Sequence, residues 1–297
     1  MPTPATPGAP GPPALSEGRH SVRSTIRSLV WTVYVPSFLI AAGQGLLIPV
    51  LPGFAKEELA ATFAIVGLVL AARYLGTMIF DVPAGILVTR FGMRNTMLAG
   101  VTLFGIAAVW SGLSTNLTSL LAARILAGVS FALWSLSRHS YIAMVVPSDV
   151  RGRALSLFGG LSRIATILGP LAGGYLAEFV GIRVSFYVQA GIAVLTLVLV
   201  LVTTRNIIET RRKGAHPNVF RELGGVVTSH RRDFATAGVA AIMLQFVRAG
   251  REFLIPVWGG EIGLGKDQIG TIASASLAID SMLFPFVGIA MDRWGRR

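Results

Sequence analysis

The chain of 297 residues contains no cysteine. Disulfide scaffolds, thiolate nucleophiles, Cys-ligated zinc and iron–sulfur clusters are therefore excluded. Histidine is scarce, with four scattered copies, so no catalytic metal site is visible and no cofactor is implied. Charge is scarce as well: only 13% of residues are charged, about half the usual share of a soluble domain. Lysine is nearly absent, because only Lys56, Lys213 and Lys266 occur among the 26 basic residues. What is abundant is apolar: 53% of the chain is hydrophobic and mean hydropathy is +0.67. A soluble core could not hide that much apolar surface in a chain of this length.

The apolar residues fall into runs long enough to cross a bilayer, which takes about 20 residues per helix. Eight such spans are predicted, at 29–51, 62–83, 96–114, 117–146, 154–178, 182–204, 234–258 and 267–290. Residues 1–28 differ. Six of the first thirteen are proline, and Arg19, Arg23 and Arg27 follow, so a disordered basic tail is expected.

The net charge of +12 would point to nucleic acid on a soluble protein. Here the basic residues sit between apolar runs, so the charge reads as membrane topology and no nucleic acid is implied. With a cytoplasmic N-terminus, Arg19, Arg23, Arg27, Arg90, Arg94, Arg151, Arg153, Arg205, Arg211, Arg212, Lys213, Arg221, Arg231, Arg232, Arg293, Arg296 and Arg297 fall inside, which makes 17. Only three, Lys56, Arg183 and Lys266, fall outside. This asymmetry predicts cytoplasmic termini. The connection 205–233 holds seven Lys/Arg and separates six spans (29–204) from the remainder (234–297).

Three ordered segments repeat. Leu47-Ile48-Pro49-Val50 returns as Leu254-Ile255-Pro256-Val257, and Val66-Gly67 matches Ile269-Gly270. Gly85-Ile-Leu-Val-Thr89-Arg90-Phe-Gly92-Met-Arg94 matches Gly288-Ile-Ala-Met-Asp292-Arg293-Trp-Gly295-Arg296-Arg297. Copies six spans apart have the same orientation, as in transporters built from parallel repeats.

Several polar groups lie inside the spans, where ionisable residues are expensive and mark pathways or pairs. Arg73, Thr77 and Asp81 share one helical face, as do Arg124, Gly128, Ser135 and Arg138. Arg248, Arg251 and Glu252 share another, where Glu252 can neutralise either arginine. Asp280 has no partner nearby in sequence, and a solitary carboxylate in an apolar span suits a proton carrier. Arg163 fits either an anion or a carboxylate, and Gln44 either Arg124 or substrate.

The repeated segments resemble the cytoplasmic signature of the major facilitator superfamily, G-x-x-x-D-R-x-G-R-R, which the second copy matches at every fixed position. Arg124-Ile-Leu-Ala-Gly128 is similar to the family's R-x-x-x-G motif. Gly169-Pro170-Leu-Ala-Gly173-Gly174 resembles an antiporter motif, and Gly43 to Pro52 a motif of the twelve-helix drug/proton antiporters. The resemblance implies an all-α integral membrane fold: a six-helix bundle followed by the first two helices of its repeat. It implies an alternating-access secondary transporter of the inner (plasma) membrane, not an enzyme, with proton-coupled export of a small organic compound as the leading mode and a monomeric complete form; uptake of an organic anion by the same fold and a non-transporting membrane receptor or assembly partner are the alternatives. It places Arg124 on the substrate and proton pathway, where Gln44, Arg73, Arg163, Arg248, Arg251, Glu252 and Asp280 are expected as polar groups inside the spans. Asp81, Gly85, Arg90, Gly92, Arg94, Gly288, Asp292, Arg293, Gly295 and Arg296 would form the cytoplasmic gate. Because the family has twelve helices, the chain is expected to be a fragment or a truncated gene product. Two departures stand out: Thr89 and Met144 occupy positions where the family has acids, so the gate must use other contacts, such as Asp81 or Asp149, or be weak.

Overall fold

A computed structural model describes residues 29–146, 151–204 and 229–294, without the side chains of 153, 233, 234 and 284–294. The predicted tail 1–28, most of the connection 205–233, and Asp149, Gly295 and Arg296 lie outside the described residues. Within them the chain forms eight long helices and no strand. They are α1 (Val30–Glu58), α2 (Phe63–Phe91), α3 (Met93–Leu113), α4 (Leu117–Val145), α5 (Arg151–Phe179), α6 (Val184–Thr203), α7 (Val239–Glu261) and α8 (Lys266–Trp294).

Among the described residues six of these, α1 to α6, are long and apolar enough to cross a membrane. Helices α7 and α8 are comparable in length; α7 carries Arg248, Arg251 and Glu252, and α8 carries Asp267 and Asp280. Large apolar side chains cover the outside of the bundle: Val202 is 80% exposed, Phe246 74% and Met78 66%. In water such a surface would drive association, whereas in a bilayer it meets lipid.

Local chemistry sets the helix ends. Gly92 closes α2 with a φ of 84°, a left-handed conformation that a side chain would disfavour, and its N–H donates to the Val88 carbonyl at 3.0 Å. The Asn116 side chain accepts from the Ser119 N–H at 2.8 Å and so caps the start of α4. Prolines 49 and 52 remove two amide donors from α1, and a wide π turn, Phe54–Glu58, finishes that helix.

The helices run alternately up and down. One end of the bundle gathers Lys56, Arg183, Glu261 and Lys266; the opposite end holds Gly92, Arg94, Val146 and Thr203. Helices α7 and α8 run in the same sense as α1 and α2, as a parallel repeat requires. Helix α2 packs on α4, α4 on α3, α3 on α6, and α6 on α1. Helix α5 lies between α1 and α8, while α7 rests on α1 and α8.

Lipid gives no hydrophobic drive for helix association, so packing depends on close approach. A Cβ on Gly76 would strike the Ile125 carbonyl oxygen, and one on Gly128 the Arg73 carbonyl oxygen, so α2 and α4 touch backbone to backbone. Apolar side chains fill the layers between. Phe54 and Phe186 meet edge to face at 5.0 Å near the Lys56 end. Met97, Val101, Phe104 and Trp134 fill the middle, and Tyr34, Met93, Tyr141 and Ile142 the Arg94 end.

Candidate functional site

Two adjoining cavities occupy the middle of the molecule. The smaller, about 130 Å³, is lined by Gln44, Arg73, Tyr74, Phe104, Arg124, Thr166, Gln189 and Glu252 among others. The larger, about 410 Å³, adds Thr77, Phe131, Arg163, Gln245, Arg248, Arg251, Asp280 and Ser281. They share Gln44, Arg73, Tyr74, Thr166 and Glu252. All eight residues expected on the pathway therefore line one connected space, supplied by α1, α2, α4, α5, α7 and α8. Each was conspicuous in sequence as a polar group inside an apolar run.

Arg124 projects from α4 and is only 7% exposed. Its Nε has no hydrogen-bond partner, and no carboxylate stands within ion-pair distance of it among the described residues. Gln44 lines both cavities without bonding Arg124. Arg73 lies over the Tyr74 ring at 4.6 Å and the Phe131 ring at 5.5 Å, a cation–π arrangement. Thr77, one turn on, is turned back onto the backbone and donates to the Arg73 and Gly128 carbonyls at 3.0 and 3.1 Å.

The acids differ from expectation. Asp280 is neither solitary nor deeply buried: it pairs with Arg251 at 3.0 Å, and its side chain is half exposed. Nor does Glu252 pair with Arg248 or Arg251. It accepts a hydrogen bond from the Tyr74 hydroxyl at 2.9 Å, across from α7 to α2. Helix rotation turns Arg251 toward α8 and Glu252 toward α2, and sequence spacing within one helix cannot reveal that division. Gln189 and Tyr74 carry no such flag in the charge pattern. Gln189 is buried and donates to the Gly43 carbonyl at 2.8 Å. Its signal is of another kind, since it is the single amide of a very apolar span.

The antiporter-like motif sits where α5 meets two neighbours. Gly169 and Gly173 face the α1 backbone at Gly45 and Leu46, while Gly174 faces Gly270 and Lys266 of α8. Pro170 lies within α5, and its carbonyl faces Gly270. The motif thus forms the seam between the six-helix bundle and the repeat.

At the Arg94 end, Arg94 donates from Nη2 to the Leu201 carbonyl at 2.9 Å. Arg151 donates to the Ala143 and Val146 carbonyls at 2.8 and 3.3 Å. Both groups sit at helix C-termini, whose free carbonyls carry partial negative charge. With Thr89 and Met144 in place of acids, these two arginines are held by backbone oxygens instead. Asp81 is exposed and pairs with none of the described residues, so it does not replace the missing acids. Arg90 is exposed beside the Phe91 ring, and Gly85 faces Leu136. Gly288, Asp292 and Arg293 lie on the last turns of α8, where side chains are not described.

Among the described residues the opposite end carries three ion pairs. Lys56 bonds Glu261, Lys266 pairs with Glu57 at 2.9 Å, and Arg183 with Glu58 at 2.7 Å. Glu178 accepts from the Lys266 N–H at 2.8 Å. Two of these pairs join α1 to the repeat. They have no counterpart among the sequence expectations, because each partner lies in or beside a short link between spans.

The family model of the Major Facilitator Superfamily matches residues 33–297, and the chain belongs to that family. An uncharacterized MFS-type transporter of Mycobacterium tuberculosis is 32% identical over 201 residues, covering 65% of this chain and 28% of that relative. Multidrug resistance protein 2 of Bacillus subtilis is 31% identical over 182 residues, covering 60% of this chain and 45% of the relative. The matched part therefore spans less than half the length of these relatives. Among solved structures, a bacterial homologue of the human lysosomal transporter Spinster, inward-facing and unoccupied, superposes with a TM-score of 0.73. It is 16% identical, with 92% of this chain and 63% of that chain covered, and so shares the fold.

Proposed function

We propose that this chain carries the central site of a secondary transporter that exports a small organic compound in exchange for protons. The observation that carries the proposal is the convergence of the in-span polar residues of six helices on one connected cavity between bundle and repeat. Such midplane sites at a repeat interface are where alternating-access transporters bind their cargo. The antiporter-like motif at the α5 seam and the kinship to a multidrug resistance protein favour export.

In this reading the protein lies in the inner (plasma) membrane with its Arg94 end in the cytoplasm, as the basic residues demand. The ion pairs at the Lys56 end then close the outer face. Glu252 and Asp280 are the acids available to take up protons. Each is held by a partner on a neighbouring helix, so protonation loosens a link between helices. A ligand or proton moves alternating access only through unequal affinity for the two states, and breaking Tyr74–Glu252 or Arg251–Asp280 supplies that inequality.

The arginine excess in the cavity favours a second reading, uptake of an organic anion by the same fold. Flux of the complete gene product in vesicles, with and without a pH gradient of each sign, separates the two. Export by exchange predicts movement of substrate against the proton flow. Uptake predicts movement with it, and no gradient dependence in either direction removes both.

A further inference from the structure

Among the ionisable groups of the central cavities, five arginines face two carboxylates: Arg73, Arg124, Arg163, Arg248 and Arg251 against Glu252 and Asp280. Both carboxylates are engaged, Asp280 by Arg251 at 3.0 Å and Glu252 by the Tyr74 hydroxyl at 2.9 Å. Neither reaches Arg73 or Arg124. Arg124 is 93% buried, lines the smaller cavity and has an orphan Nε. Arg73 opens onto both cavities, over the faces of Tyr74 and Phe131 and in polar contact with the Tyr74 hydroxyl. A buried cation without a counter-charge is costly, and the described residues place none beside Arg124. Guanidinium groups bind carboxylates and sulfonates through parallel N–H donors, more strongly than neutral acceptors. Around them stand Tyr74, Phe104 and Phe131, an aromatic wall suited to a flat apolar body.

We propose that Arg73 and Arg124 form an anion subsite where the two cavities meet, and that its ligand is an organic anion with an aromatic body. Head-group oxygens take the free donors of Arg124 and Arg73, and the body lies against the aromatic wall. A cationic compound would face a cluster of like charge. The subsite defines the substrate class of the transport site. Its binding stands on the cavity geometry, and only carriage of the bound anion across the membrane rests on the transport reading.

The test is equilibrium binding of radiolabelled 1-naphthoate to the 297-residue chain in lipid nanodiscs, with neutral 1-naphthamide and cationic tetraphenylphosphonium as competitors. Saturable naphthoate binding is expected, with naphthamide weaker by about tenfold or more because it lacks the charge-assisted bonds. Tetraphenylphosphonium should not compete. Arg124→Gln and Arg73→Gln should each weaken naphthoate by about tenfold or more, and Arg124→Lys should recover part of the loss. Size-exclusion profiles check folding, and if Arg124→Gln fails to fold, Arg73→Gln decides the outcome. Equal binding of acid and amide, preference for the cation, no saturable binding, or folded glutamine variants with unchanged affinity would each overturn the subsite. Binding needs no gradient, so the two ideas fail separately. Naphthoate binding without gradient-driven flux sinks the transport reading alone, and flux of a cation without anion binding sinks the subsite alone.

Discussion

Replacing Gly128 with alanine should separate two helices that hold both cavity arginines. Gly128 lies on α4 against α2, where a new Cβ would strike the Arg73 carbonyl oxygen. It would also stand 2.7 Å from the Thr77 amide nitrogen and 2.9 Å from the Gly76 Cα. All three obstacles are backbone, so no side chain can swing away and the helices themselves must part. Overpacking of this kind costs about 1–3 kcal/mol. The Thr77 hydrogen bond to the Gly128 carbonyl, 3.1 Å long, stretches with it. Gly191 on α6 is the control, because a Cβ there meets nothing within 4 Å. In the absence of contacts, alanine in a helix gains about 0.5–1 kcal/mol over glycine. Unfolding of both variants in the same detergent should therefore move in opposite directions, Gly128→Ala down and Gly191→Ala level or up. Equal stability of the two would refute the backbone contact between α2 and α4, and with it the placement of Arg73 beside Arg124.

Charge reversal at the closed end, Glu57→Lys with Glu261→Lys, should open it. The chain has no cysteine, so a single Val257→Cys reports access to an impermeant maleimide on a clean background. The broken pairs are exposed and worth about 0–1 kcal/mol each, so labelling should rise several-fold, and high salt should mimic part of the rise; unchanged labelling would show that the pairs do not hold that face shut. At the cavity, Tyr74→Phe leaves Glu252 without its donor and should cost about 1–3 kcal/mol. Adding Glu252→Gln to that variant should cost little more, and full additivity in the double-mutant cycle would deny the contact.

Much of this arrangement is written in the hydropathy pattern. The eight helices follow from apolar runs, and Arg73, Arg124 and Glu252 are visible because a polar side chain in such a run is costly enough to need a reason. Partner choice is hidden. Glu252 and Arg251 are adjacent in sequence, but a step of about 100° around the helix sends one to α2 and the other to α8. Helix rotation is set by tertiary packing, for α7 by its contacts with α1, α8 and α2, and spacing within a single helix does not encode it. The ion pairs of the closed end are hidden for another reason. Lys56, Glu57, Glu178, Glu261 and Lys266 sit near span ends, where charged residues are ordinary and carry no signal of their own. The seam glycines, by contrast, are legible as small residues, though only the fold shows that Gly173 serves α1 and Gly174 serves α8.

The proposed coupling of proton movement to transport runs through the cavity around Arg124. Its most direct test is gradient-driven flux in vesicles containing the complete gene product, wild type against Arg124→Ala, at matched protein content. Substrate movement should appear with the pH gradient, disappear when an ionophore collapses it, and be lost in folded Arg124→Ala. Wild-type coupled flux in that variant would contradict it.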